Sequence, residues 1–118
     1  MEFIVPEDTN SQHNLISVNH LGKVRFAQNI ADCLNAERES VDAVIWDNTD
    51  IQQLEELSPV EGPYGWMLCS INIPIYFHLT SLDQIASLSN CNIKGFYAKD
   101  PELLIQARNK WKAFFVDK

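Results

Sequence analysis

Five polar residues follow or flank apolar runs in this sequence, and together they could carry phosphoryl chemistry. They are Glu7, Asp8, Asp47, Thr80 and Lys99. Two or three carboxylates brought together suit a hard divalent cation such as Mg²⁺, which takes oxygen ligands. A carboxylate beside such an ion can act as a nucleophile toward phosphorus, while a cation and a hydroxyl group stabilise the transferred group. Each of these roles therefore has a candidate, provided that the fold brings the five positions together.

Asp47 has the most informative local context of the five. The preceding run, Val41–Trp46, is mostly apolar and favours a β-strand, and Asp42 is the only acid within it. Asp47 stands where such a strand leaves the core. Two interpretations stay open: the carboxylate ends the strand and begins a turn, or the strand holds the carboxylate in a fixed position.

The elements that must position these residues alternate between strands and helices. Short apolar runs predict five strands, which are Phe3–Val5, Lys23–Ala27, Val41–Trp46, Ile73–Leu79 and Ile93–Ala98. Continuous apolar strands between helices are typical of a mainly parallel sheet with helices on both faces. In such sheets ligands bind beyond the carboxyl ends of the strands, where the five polar residues fall.

Three helix starts are marked by capping residues. Asn29 can cap a helix that begins at Ile30, and Ser81 with Gln84 forms a capping-box pattern. Asp100 can cap the last helix, with Pro101 at its first position. That last helix has apolar residues at helical spacing, which predicts packing against the core.

Composition limits the classes of function. A length of 118 residues with 46% apolar residues suits one domain, 1–118, with a single core. The net charge is −7, and no Lys or Arg occurs between Glu39 and Ile93, which argues against nucleic-acid binding by this domain. Three separated cysteines, Cys33, Cys69 and Cys91, favour free thiols in a reducing compartment. With no membrane-spanning stretch and no signal pattern, the expected location is the cytoplasm.

Four short motifs, in order along nearly the whole chain, resemble the receiver domain of two-component response regulators. "IVPED" resembles the first strand and acid pair, and "AVIWD" the phosphoacceptor strand. "PIYFHLTS" is similar to the fourth strand of receivers, and "KGFYAKDPELL" to the fifth strand and following helix. The resemblance implies a flavodoxin-like, doubly wound sheet of five parallel strands in the order 2-1-3-4-5.

The resemblance also implies roles for individual residues. Asp47 would be the phosphoacceptor, with Thr80 and Lys99 contacting the phosphoryl group. Glu7 and Asp8, together with Asp47, would hold Mg²⁺. Phe96 matches the aromatic switch position, so that the last strand and helix would form the signalling face.

The function that follows from this resemblance is signalling, with no enzymatic activity beyond self-phosphorylation from a phosphodonor. The upstream partner would be a histidine kinase or phosphotransfer protein. The domain is expected to lack an output of its own, so the signal would pass to another protein or to a segment outside this sequence. Formation of a homodimer is a further expectation. The alternative is a degenerate pseudo-receiver that binds proteins independently of phosphorylation. His78 is expected to be a hydrogen-bonded strand residue rather than a catalyst, and Trp46 to be core.

Overall fold

The computed structural model describes residues 2–6, 15–48, 73–88 and 93–115, without the side chains of 113–115. Glu7, Asp8, Cys69 and Cys91 lie outside the described residues. The strands within these ranges are β1 (Glu2–Val5), β2 (Ile16–Ser17), β3 (Val24–Ala27), β4 (Ala43–Trp46), β5 (Ile75–His78) and β6 (Gly95–Tyr97). The helices are a 3-10 helix (Val18–Leu21), α1 (Ile30–Arg38), α2 (Gln84–Ser87) and α3 (Pro101–Phe115).

Two helices, α1 and α3, begin where their capping residues predict, whereas α2 begins at Gln84, later than a cap at Ser81 would place it. The Asn29 side chain accepts a hydrogen bond from the Asp32 backbone N–H at 2.9 Å, which satisfies one of the free donors at the start of α1. The Asp100 carboxylate accepts from the Glu102 N–H at 3.0 Å at the start of α3. Within the described ranges, none of the helices has the length and apolar character that crossing a membrane requires.

The strand order differs from the predicted order, and this is the main correction to the fold. All pairings in the described sheet are parallel, as predicted, but the sheet has six strands in the order β2-β1-β6-β5-β4-β3. The order 2-1-3-4-5 would have placed β1 beside β4. Instead β1 pairs with β6, while every other pair of neighbouring strands is consecutive along the chain, and β2 and β3 lie at the two edges.

One face of the sheet carries the α-helices of the described residues. Alternate strand residues, among them Val44, Phe77 and Phe96, are buried there against side chains of α1, α2 and α3. The helical contributions include Cys33, Ile85 and Leu104. The expectation of helices on both faces is therefore not met in this part of the chain, because a sheet with neighbours in chain order directs right-handed crossovers to one side.

The opposite face is concave and is filled by the sheet's own side chains. Every strand contributes to it, through Ile4, Ile16, Val24, Ala43, Ile45, Tyr76 and Tyr97. Val18 and Leu21 of the 3-10 helix pack against the same cluster, between the ends of β2 and β3. The result is an α/β fold in which a parallel sheet curls around its own apolar interior.

Candidate functional site

The carboxyl ends of four strands carry polar and aromatic side chains on the concave face. Because successive strand residues point to opposite faces, the residues in phase with Ile45, Tyr76 and Val24 share that face. At the carboxyl ends these positions are occupied by Phe26, Asp47, His78 and Tyr97. This group of four residues is here called the concave mouth.

Asp47 and His78 form the polar centre of the concave mouth. His78 Nδ1 lies 2.8 Å from Asp47 Oδ1, and the two residues end neighbouring strands, β4 and β5. An ionised carboxylate can only accept a hydrogen bond, so Nδ1 carries the proton and donates it. A neutral imidazole then has its unprotonated lone pair on Nε2. The contact therefore fixes both the orientation and the tautomer of the ring.

Both members of this pair can be reached from solvent. The Asp47 side chain is 44% exposed and the His78 side chain 18% exposed. The Asp47 backbone is held in place, because its N–H donates to the Ala27 carbonyl at 2.7 Å. Next to it, the Asn48 side chain donates to the Gln28 carbonyl at 2.6 Å, which ties the ends of β3 and β4 together. A fixed backbone thus presents an accessible carboxylate.

Two aromatic rings border the Asp47–His78 pair. The Tyr97 ring contacts His78 in a T-shaped arrangement with centroids 5.1 Å apart, and Phe26 packs edge-on against Tyr97. Burial, and in second place the negative charge of Asp47, raise the pKa of the Tyr97 phenol. Tyr97 therefore stays neutral and acts as a wall for the imidazole. Phe26 is half exposed at the outer side of this wall.

Thr80 and Lys99, predicted to contact a phosphoryl group, lie at the same edge of the sheet. Thr80 follows β5, and Lys99 follows β6 and is exposed. The Thr80 hydroxyl accepts a hydrogen bond from the Gln84 amide at 3.0 Å, while Gln84 Oε1 accepts from the Thr80 and Ser81 N–H groups. Gln84 thus meets Ser81 as the capping-box pattern predicted, and it also engages the Thr80 side chain.

The strand order changes what can be expected of the acid pair. Glu7 and Asp8 follow β1, which is separated from β4 and Asp47 by β5 and β6. A Mg²⁺ site needs several oxygen ligands, and at this edge Asp47 is the carboxylate that the described strands supply. The described residues contain no group of three acidic, histidine or cysteine side chains that could hold a metal ion. The described residues therefore do not make a Mg²⁺ site by themselves.

Phe96, the predicted switch residue, lies on the other face from the concave mouth. Its side chain is fully buried, with its ring 5.9 Å from the Phe3 ring and 5.6 Å from the Trp111 ring. Its neighbour Tyr97 is the aromatic residue of β6 that faces Asp47 and His78. The alternation of side chains along β6 separates the two rings.

His78, Tyr97 and Phe26 are the members of the concave mouth that the sequence did not single out as functional. Their common signal is phase: each stands at or beside the end of a predicted strand, on the face that Asp47 also occupies. His78 is a hydrogen-bonded strand residue, as predicted. Its hydrogen-bond partner is Asp47, the residue that the resemblance implies as phosphoacceptor.

The fold and the site define a class: a small α/β domain whose curled parallel sheet presents an acid–histidine pair at its carboxyl edge. No family model matches the chain, and neither a curated protein nor a solved structure matches it.

Proposed function

We propose that this chain is a signalling domain that accepts a phosphoryl group at the concave mouth and passes the signal on by protein contact. Asp47 is the acceptor implied by the resemblance to receiver domains. The observation that carries the proposal is the placement of Asp47 with His78 at the carboxyl ends of β4 and β5. This edge is where ligands bind in parallel α/β sheets.

The neighbouring strand ends support the same proposal. Asp47, Thr80 and Lys99 follow β4, β5 and β6, which are consecutive in the sheet. A transferred phosphoryl group is stabilised by a cation and by hydrogen-bond donors placed around it. Lys99 supplies the cation of this set. The Thr80 hydroxyl supplies the donor once it turns from accepting the Gln84 amide proton to donating its own.

The partners follow from this chemistry. The upstream partner is a histidine kinase or a phosphotransfer protein, and the downstream partner is a protein that recognises the modified mouth. The basic residues of α3, among them Lys110 and Lys112, form the surface proposed for that second contact. Charge reversal at both lysines should weaken binding of an acidic partner surface.

The test is the intact mass of the full chain after incubation with acetyl phosphate, with and without Mg²⁺. The proposal predicts a gain of one phosphoryl group in the wild type. Asp83→Asn is the control that matches Asp47→Asn, because Asp83 is an exposed acid that precedes α2 and makes no side-chain capping bond. No gain of mass in either condition would rule out phosphoryl acceptance.

The second candidate is an interaction module that works without phosphorylation. The contacts that favour it are the two that occupy the site's polar groups: Asp47 with His78, and Thr80 with Gln84. Under this alternative, Asp47→Asn leaves partner binding unchanged. Under phosphoryl signalling, the same substitution abolishes any partner binding that requires prior treatment with the phosphodonor.

A further inference from the structure

His78 is one of the side chains of the concave mouth to which the resemblance gives no role. Its Nδ1 donates to Asp47, so the lone pair available for chemistry is on Nε2. Within the described ranges, the Trp46 indole nitrogen is the only buried side-chain nitrogen or oxygen that lacks a partner. His78 Nε2 makes no hydrogen bond to a described residue, and the His78 side chain is 18% exposed.

We propose that His78 Nε2, rather than an oxygen of Asp47, takes the phosphoryl group, and that Asp47 is its positioning residue. This inference rests on the proposed function, phosphoryl acceptance at the concave mouth, and changes the acceptor atom. Imidazole is an established nucleophile once a neighbouring group fixes its tautomer. A carboxylate bound to the other ring nitrogen orients the ring and raises its basicity.

The step balances without an additional reactant. The Nε2 lone pair attacks phosphorus of an acyl phosphate, forming a nitrogen–phosphorus bond. The phosphorus–oxygen bond to the acyl group breaks, and the carboxylate leaves with the electron pair. The Nδ1 proton stays in place, and the positive charge that develops on the ring lies 2.8 Å from the Asp47 carboxylate. This charge pairing favours the product.

The surroundings of the two side chains favour the imidazole over the carboxylate as the acceptor. Asp47 Oδ1 is already engaged by His78, which reduces the electron density that this carboxylate can offer. The imidazole, in contrast, is held on one side by Asp47 and on its face by the Tyr97 ring. A side chain fixed in this way reacts without first losing rotamer freedom.

The test uses the stability of the bond that is formed in the wild-type chain. The full chain is incubated with acetyl phosphate, and its intact mass is measured before and after treatment with alkali and with acid. A phosphoramidate on histidine survives alkali and is lost in acid. An acyl phosphate on aspartate is lost in alkali. The expected result is an adduct with the histidine pattern.

Variants provide the second measurement. His78→Gln is expected to abolish the adduct, while His20→Gln, a change at another histidine, leaves it unchanged. Asp47→Asn keeps an oxygen that can accept from Nδ1 but removes the charge, and it should slow formation of the adduct by at least about tenfold. The linkage chemistry of the wild type decides the question even if His78→Gln does not fold.

The outcomes separate this inference from the proposed function. An adduct that is lost in alkali, abolished by Asp47→Asn and retained in His78→Gln would overturn the role of His78 and leave phosphoryl acceptance standing. No adduct in the wild type, with or without Mg²⁺, would overturn both.

Discussion

The Phe26 ring of β3 and the Tyr97 ring of β6 touch across the concave face, with centroids 5.8 Å apart and planes at 84°. β4 and β5 lie between these two strands. In a flat sheet, three strand spacings amount to about 14 Å. The contact is therefore made by curvature, and it places an apolar rim beside Asp47 and His78.

Removing the Phe26 ring should cost little stability, because half of this side chain is already exposed. We expect Phe26→Ala to lower the free energy of unfolding by about 1 kcal/mol, the loss of one edge-to-face pair with partial burial. Phe77→Ala, at a fully buried position of β5, should cost about 3–5 kcal/mol. Urea denaturation of both variants measures the difference. Equal losses would mean that Phe26 is buried as deeply as Phe77.

Gly95 is required at the start of β6 because that strand approaches β1 closely. A Cβ atom at this position would collide with the Glu2 backbone carbonyl, and backbone cannot move away as a side chain can. We expect Gly95→Ala to destabilise the fold by about 1–3 kcal/mol or more through overpacking. Gln106→Ala, on the exposed side of α3, should change stability by less than about 0.5 kcal/mol. Thermal unfolding followed by circular dichroism compares the two, and a neutral Gly95→Ala would argue against the β1–β6 pairing.

The Asn29 cap gives a test of local helix energetics. The Asn29 side chain bonds to the Asp32 N–H, whereas Asp83, which precedes α2, makes no capping bond through its side chain. Asn29→Ala should therefore lower the free energy of unfolding by about 1 kcal/mol, and Asp83→Ala by less than about 0.5 kcal/mol. Guanidinium denaturation at neutral pH measures both. Losses of equal size would show that the capping bond contributes nothing.

The buried Cys33 thiol makes the free energy of unfolding depend on pH in the alkaline range. Burial, with a smaller effect of Asp32, raises the pKa of this thiol from 9.0 to about 12. Above pH 9 the unfolded chain loses this proton while the folded chain keeps it, so the free energy of unfolding falls as pH rises toward 12. At pH 10 the loss amounts to about 1.4 kcal/mol. Below pH 9 the thiol has no effect, because it is protonated in both states.

The check for Cys33 is urea denaturation of the wild type and Cys33→Ala at pH 8 and pH 10. The wild type should lose about 1.4 kcal/mol more than the variant over this interval, since the tyrosines contribute equally to both. Parallel losses would show that the thiol ionises as easily in the folded chain as in the unfolded one.

The strands and helices could be predicted because their signals are local. Apolar runs marked β1, β3, β4, β5 and β6, and the side chains of Asn29 and Asp100 marked helix starts. β2 was not predicted, because two residues are too short for any periodicity. The strand order could not be read from local patterns, since it depends on which strand edges meet, and the order taken from receiver domains placed β1 beside the wrong strand.

The site could be predicted only in part for a related reason. The end of an apolar run singled out Asp47 but left open whether it begins a turn or is held in a fixed position; in the structure its backbone N–H donates to the Ala27 carbonyl. Its partner His78 becomes visible only when β4 and β5 are known to be neighbours in register, with Trp46 opposite Phe77. The same register shows that Tyr97, and not Phe96, shares the face of Asp47.

The pairing of β1 with β6 also has a consequence for how the protein forms during synthesis. Glu2 pairs with Gly95, and Ile4 with Tyr97, so β1 leaves the ribosome long before its main partner strand exists. Contacts so distant along the chain are slow to form, because the intervening chain must first lose its freedom. Until β6 emerges, the apolar side chains of β1 are exposed without their partners. Chaperones that bind short apolar segments would meet the nascent chain at Phe3–Val5 in that interval.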